Sequence, residues 1–430
     1  MNELSIVITN FCLYVILFVY CLIRYKWINL STVTSLVYTI GALFSVLLFI
    51  SPLYNLTFTA KGECSMESCI YLYIVNTLLI LSLANININK CEYIYNYNTK
   101  IIKKIQAFLC VTLIVYIIFQ IPNSIQKFYS GRNLSDMREE LYGTNEIQGF
   151  FIIGLIARLF GATPLVLLCI SCINLFIIKR TDTWDKYSII VYFLYKFNTI
   201  FSVISRATIV FSFFELIVIF IIFYYFISAR IKRLVLKWAL IIVPISLLVF
   251  SAISTSRFGG DKETSNLATL RYAGEANLNF MALAYPDLKE PFWGYSSFPL
   301  YRRILGFPYN DGTSRDGGTV FDTNIQRVYK YPNPTYTFHG MAGSIWFNFG
   351  FYGCLIFTFI FYYLMKKSCK DIKKTTPLKI ILYVYIGSLI IKGVCYLPFG
   401  SESDNLLLIY FLMFGYIMKT TGHCYLVSNH

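Results

Sequence analysis

The sequence predicts an all-α polytopic integral membrane protein, with about eleven transmembrane helices and one large extracytoplasmic loop. Three observations predict it. Apolar residues make up 57% of the 430, charged residues only 14%, and the mean hydropathy is +0.60, whereas globular chains carry about a quarter charged residues. The apolar residues arrive in blocks near the roughly 20 residues that cross about 30 Å of hydrocarbon. The basic residues concentrate in alternate connections between those blocks, as the positive-inside rule requires.

Taken in chain order, the blocks predict helices over 4–23, 30–52, 70–86, 105–121, 149–178, 187–204, 208–228, 238–254, 341–364, 378–397 and 404–418. The first is followed by Arg24 and Lys26 rather than a small-residue cleavage site, so it reads as a retained helix and not a signal peptide. One set of connections holds twenty cations: Arg24 and Lys26; Lys90, Lys100, Lys103 and Lys104; Lys179, Arg180 and Lys186; Arg230, Lys232, Arg233 and Lys237; Lys366, Lys367, Lys370, Lys373, Lys374 and Lys379; Lys419. The short loops of the other set hold five, Lys61, Lys127, Arg132, Arg138 and Arg206. The first set is therefore expected in the cytoplasm, with the amino terminus outside and the carboxyl terminus inside. The formal charge of +15 is then mostly topology and not a nucleic-acid footprint.

No soluble domain and no repeat is visible, so residues 1–430 read as a single membrane domain with two outer elaborations. The first, 122–148, carries the polar run YSGRNLSDMREELYG. The second, 255–340, is far longer than an ordinary connection, and loops of that length are usually functional. Its many aromatic residues favour an ordered loop. Most of the 12 cysteines lie in helices or on the inner side. Cys64 and Cys69 share an outer loop and read as two free thiols, with a small disulfide as the alternative.

Several chemistries are excluded. There is no GxxxxGK[ST] phosphate loop and no HExxH zinc motif, and His423 and His430 lie in the inner tail. What remains is charge in or beside the membrane. Lys196 and Glu215 stand ten and nine residues from Arg206 at a tight turn, so both lie about 14 Å down adjacent helices. An ion pair would explain how both are tolerated there, either as packing or as a proton relay. Arg158 and Lys392 also fall within predicted helices, where they face a cavity or snorkel to an interface. On the outer side Arg206, Arg257, Arg271, Arg302, Arg303, Arg315 and Arg327 gather guanidinium groups suited to bidentate phosphate recognition, or to plain loop solvation. His339 is the one histidine expected outside, where the long loop re-enters the membrane. A neutral imidazole there can take a proton from a hydroxyl, although a lone histidine is commonly structural.

The helix count, the turn SRATIV (205–210), the long outer loop and the run PTYTFHGMAGSIWFNFGFYG (334–353) together resemble the Wzy-type oligosaccharide repeat unit polymerases of bacterial O-antigens and capsules. The resemblance implies a metal-independent membrane glycosyltransferase on the outer face of the cytoplasmic membrane. It would move a growing glycan from undecaprenyl pyrophosphate onto the next carrier-linked repeat unit, without a cofactor. The implied partners are that lipid-linked oligosaccharide, membrane lipid, a chain-length regulator and a flippase, with no nucleic acid. Arg206 resembles the family's turn arginine, with Arg257 and Arg271 as loop counterparts, and these would hold the pyrophosphate. The acceptor hydroxyl needs a base, for which Glu275, His339 and Asp322 are the candidates in that order. An O-antigen ligase, whose loop-end histidine His339 resembles by position, differs chiefly in its acceptor. A lipid-linked glycan flippase and a membrane acyltransferase are the more distant readings.

Overall fold

In the computed structural model the described residues are 2–51, 64–86, 88, 91, 93–95, 99–129, 159–161, 163–179, 182–203, 206–241, 244, 270, 274–284, 339–370, 374–395, 405–410, 413 and 424–426. Helices dominate them. They are α1 (Glu3–Tyr25), α2 (Leu30–Ile50), α3 (Met66–Ser82), α4 (Thr99–Tyr129), α5 (Thr163–Cys172, continued by a π turn, Ile173–Ile177), α6 (Thr183–Val203) and α7 (Arg206–Phe223). After these come α8 (229–241), α9 (274–284, ending in a π turn, Phe280–Ala284), α10 (Gly340–Ser368) and α11 (Pro377–Lys392). Four are long and apolar enough to cross a membrane: Glu3–Tyr25, Leu30–Ile50, the Lys100–Ile121 part of α4, and Gly340–Ser368.

The chain divides into two compact units, 1–87 with 266–370 and 386–405, and 88–265 with 371–385 and 406–430. In the first unit, local side-chain chemistry sets the helix starts. Asn29 caps α2 by accepting from the Ser31 N–H at 2.9 Å, and its amide donates to the Ala84 carbonyl at 3.0 Å, tying the start of α2 to the end of α3. Ser65 and Ser68 cap α3 reciprocally. Small buried residues on α2, Ser31, Ser35, Thr39, Ala42 and Ser45, form one face, the composition that lets helix backbones approach closely in an apolar solvent. The opposite surfaces are apolar and exposed: Ile16 and Ile23 on α1, and Tyr352, Ile356 and Phe359 on α10. Such exteriors suit hydrocarbon rather than water.

Helix α10 is not continuous. Gly350 sits inside it at φ 69°, ψ −169°, a conformation that essentially only glycine adopts. The half before the break is largely buried, and the half after it is largely exposed. The sequence suggests one span over 341–364, but the residues before Gly350 are packed inside the first unit. The segment expected to be an outer loop also holds α9. Its eight residues from Gly274 to Met281 are all buried, and it packs against α3 and α10. Eleven residues interrupted by Glu275, Asn277 and Asn279 carry no membrane-span signal, which is why periodicity did not mark them.

In the second unit α6 packs on α4, α5 and α7. A short three-stranded sheet in the order β2 (Lys374–Thr375), β1 (Tyr93–Tyr95), β3 (Cys424–Leu426) joins three distant connections, β1 being parallel to β2 and antiparallel to β3. Cys64 and Cys69 are both free thiols.

Candidate functional site

The first unit brings two of the proposed bases to one place. Helix α9 begins against the backbone of α2: a Cβ on Gly274 would stand 2.4 Å from the Phe44 carbonyl carbon, so only glycine permits the approach. The Ser45 hydroxyl donates to the Gly274 carbonyl at 2.7 Å, and the Asn277 amide donates to the Ser45 oxygen at 3.3 Å. Glu275 follows. It is 3% exposed, and its Oε1 accepts from the Asn279 amide one turn later at 3.1 Å.

His339 precedes α10 at the N-cap position and does not cap it. Its ring packs edge-on to Phe347, with centroids 4.9 Å apart. The first amides of α10 donate to the end of the α11 segment instead, Gly340 to the Cys395 carbonyl at 2.9 Å and Met341 to the Gly393 carbonyl at 2.7 Å. Two helix-start donors are thereby engaged by main chain, which removes them from anion binding. Gly340 takes φ +64°, and a Cβ there would lie 3.8 Å from that of Ala276. Glu275 and His339 are each one residue from this approach. Full burial pushes the His339 imidazole down to about 4, because desolvation penalises the charged form. The ring is therefore neutral at physiological pH, and it is a weak base while covered. Beside it Tyr71, Phe280, Trp346 and Phe351 form an aromatic cluster, with Tyr71 and Trp346 edge-on at 4.8 Å.

The second unit holds the expected ion pair. Lys196 Nζ lies 2.9 Å from Glu215 Oε2, and the Tyr192 hydroxyl donates to the same oxygen at 2.9 Å. The Lys196 ammonium also stands 5.6 Å from the Tyr192 ring centroid. A second buried acid, Asp185, accepts the amides of Asn174 at 2.7 Å and Gln106 at 3.1 Å. Asp182, just ahead of α6, pairs with Lys103, and the hydrogen bond from that ammonium holds its carboxyl below the usual range.

Arg206 is the first residue of α7, and its side chain lies outside the described residues. Arg257, Arg271, Asp322, Arg158, Arg302, Arg303, Arg315 and Arg327 lie outside them altogether. Lys392 ends α11, where a cation faces the helix's last carbonyls. Residues that sequence reasoning missed are Tyr192, Asn279 and the Gln106–Asp185 contact. Tyr192 stands four before Lys196 on one face of a helix, a readable signal. Asn277 and Asn279 alternate with Glu275 in EANLNF, a polar row in an otherwise apolar run, and that too was visible. Among the described residues no three His, Cys, Asp or Glu side chains gather to hold a metal ion. No family model matches this chain, no curated protein matches it, and no solved structure matches it.

Proposed function

We propose that this chain is a multi-pass protein of a bacterial cytoplasmic membrane, with about eleven spans, that polymerises lipid-linked oligosaccharide repeat units on the outer face. It would transfer glycan from an undecaprenyl pyrophosphate donor to a carrier-linked acceptor. The observation that carries the reading is the placement of Glu275 and His339 on two short buried helical segments that meet at Ala276 and Gly340. A buried carboxylate and a neutral imidazole on segments that meet there supply groups able to accept a proton from a sugar hydroxyl.

Three further facts support the sidedness. The three strands of the small sheet come from three connections assigned to the cytoplasm by their cations. The Lys103–Asp182 pair joins one of these connections to a fourth of that set. The contacts of Gly340 with Ala276 and Cys395, by contrast, join the long outer loop to itself and to the outer end of the helix expected over 378–397.

In the proposed reaction Glu275 accepts the acceptor hydroxyl's proton, and the oxygen attacks the donor's anomeric carbon as the bond to pyrophosphate breaks. Arg206, with Arg257 and Arg271, meets the charge that develops on the leaving group, which fixed guanidinium groups can do without a metal. Burial of both candidate bases means that substrate binding must uncover them.

A strain lacking this chain should carry single repeat units on its lipid anchor. Loss of all attached glycan would point instead to the ligase or flippase readings. In that strain, Arg206→Lys should shorten the polymer, because it keeps charge but loses the planar fork. Arg206→Ala should lower the polymerisation rate roughly 100- to 1,000-fold. Wild-type chain length from Arg206→Ala at equal protein abundance removes this residue from the site.

A further inference from the structure

Helix α8 (229–241) starts at an exposed Ala229 and Arg230. The Ser228 hydroxyl accepts from the Ile231 N–H at 3.4 Å and opens it, and every residue from Arg233 to Ile241 is exposed in the folded chain. Leu234 is 52% exposed, Trp238 54% and Leu240 73%. The helix carries Arg230, Lys232, Arg233 and Lys237, and no acidic residue occurs between Glu215 and Asp261. Lys232 turns back, its Nζ 3.9 Å from the Tyr224 ring centroid. Arg230, Arg233 and Lys237 make no ion pair among the described residues.

Helical spacing sorts these side chains. Arg230, Arg233 and Lys237 stand at i, i+3 and i+7 and form one basic row. Ile231, Leu234, Val235 and Trp238 stand at i, i+3, i+4 and i+7 and form an apolar row beside it. Four cations in its first nine residues keep this part of the helix out of hydrocarbon, and exposed leucines and a tryptophan keep it from being an ordinary aqueous surface. A layer that takes both rows at once is the headgroup region of an anionic bilayer, where tryptophan anchors and guanidinium groups meet lipid phosphates.

We propose that α8 is a docking surface for anionic phospholipid, its basic row on headgroup phosphates and its apolar row in the acyl boundary. The occupant follows from charge complementarity: three cations with no ion pair among the described residues and no acid near them in sequence call for an anionic partner, and the adjoining apolar row calls for one with a hydrocarbon side. The inference does not depend on the polymerase reading.

The test uses the purified full chain, exchanged from detergent into mixed micelles of phosphatidylglycerol and phosphatidylcholine, and measures which lipid it retains. Wild type should enrich phosphatidylglycerol, and the enrichment should fade as salt rises. A variant carrying R230Q, R233Q and K237Q should lose enrichment by about fivefold per cation removed. A control with K366Q, K367Q and K370Q, cations expected on the same side, should lose much less. W238A with the charges intact should weaken retention of both lipids. The proposal is overturned if wild type shows no salt-sensitive preference, if the α8 triple variant and the control behave alike, or if the α8 variant changes the number of chains per particle, which would make the surface a protein interface.

Discussion

Glu215 in the second unit and Glu275 in the first are both buried, and different described groups contact them. Glu215 has an ammonium at 2.9 Å and a phenol on the same oxygen. Glu275 has an amide at 3.1 Å from its own helix, and a histidine whose burial keeps it neutral lies one residue from the same helix contact. A carboxylate matched to a fixed cation has its charge balanced before any substrate arrives, which suits a strut. The Asn279 amide does not itself fix the charge of Glu275, and the proposed reaction needs that charge to change.

The largest expected effect breaks this contrast if it fails. Glu215→Leu strands the Lys196 ammonium, which is only 21% exposed, and should destabilise the protein by about 3 kcal/mol in thermal unfolding. Adding Lys196→Met should recover most of that loss, since removing both charges leaves nothing buried and unpaired. Glu275→Gln, whose carbonyl can still accept from Asn279, should cost less than Glu215→Leu while abolishing the proposed activity. Equal costs for Glu215→Leu and Glu275→Gln, or a double variant no better than its singles, would end the distinction between strut and chemical group.

His339 sharpens it from the other side. Its folded value of about 4 lies below the ordinary 6.5, so the unfolded chain binds a proton that the folded chain refuses. The stability that comes from burying the neutral ring is complete above about pH 6.5 and is lost as pH falls toward 4, by up to about 3 kcal/mol. His339→Gln should flatten the stability profile over that window. An unchanged acid limb would mean that the ring is not buried neutral.

The two glutamates also differ in how legible they were. Lys196 and Glu215 sit on regular helices either side of a short turn, so a rise of about 1.5 Å per residue places both at one depth. The pairing then follows from arithmetic on a single sequence. Nothing comparable existed for Glu275 and His339, whose proximity depends on α9 folding back between α3 and α10. That packing is made by Gly274 fitting against Phe44 and by Gly340 fitting against Gly393, contacts between residues far apart in the chain. Loop length and aromatic content said only that the region would be ordered. The α10 break was equally hidden, because a glycine in an apolar run reads the same whether it is helical or not.

That break is the smallest effect and the most direct probe of how the first unit's site is built. Gly350 at φ 69°, ψ −169° divides a buried half-helix, starting at His339, from an exposed half. The Tyr71 hydroxyl donates to the Phe351 carbonyl at 2.7 Å, just past the break, and the Phe351 ring joins Tyr71 and Trp346 in the aromatic cluster. An alanine at 350 cannot hold this conformation without strain of about 1–3 kcal/mol. The cheaper response is to straighten the helix, which would swing residues 340–349 relative to the Tyr71 anchor and disturb the Trp346 surroundings. Gly350→Ala should therefore lower Tm by a few degrees, shift tryptophan emission, and reduce polymer formation through His339 and Ala276 rather than through any direct contact with substrate. Ile356→Ala, six residues on, removes an exposed side chain from the regular part of the helix, and it should leave the emission unchanged. If both alanines alter stability and emission equally, the break at Gly350 is not what holds the buried half-helix in place.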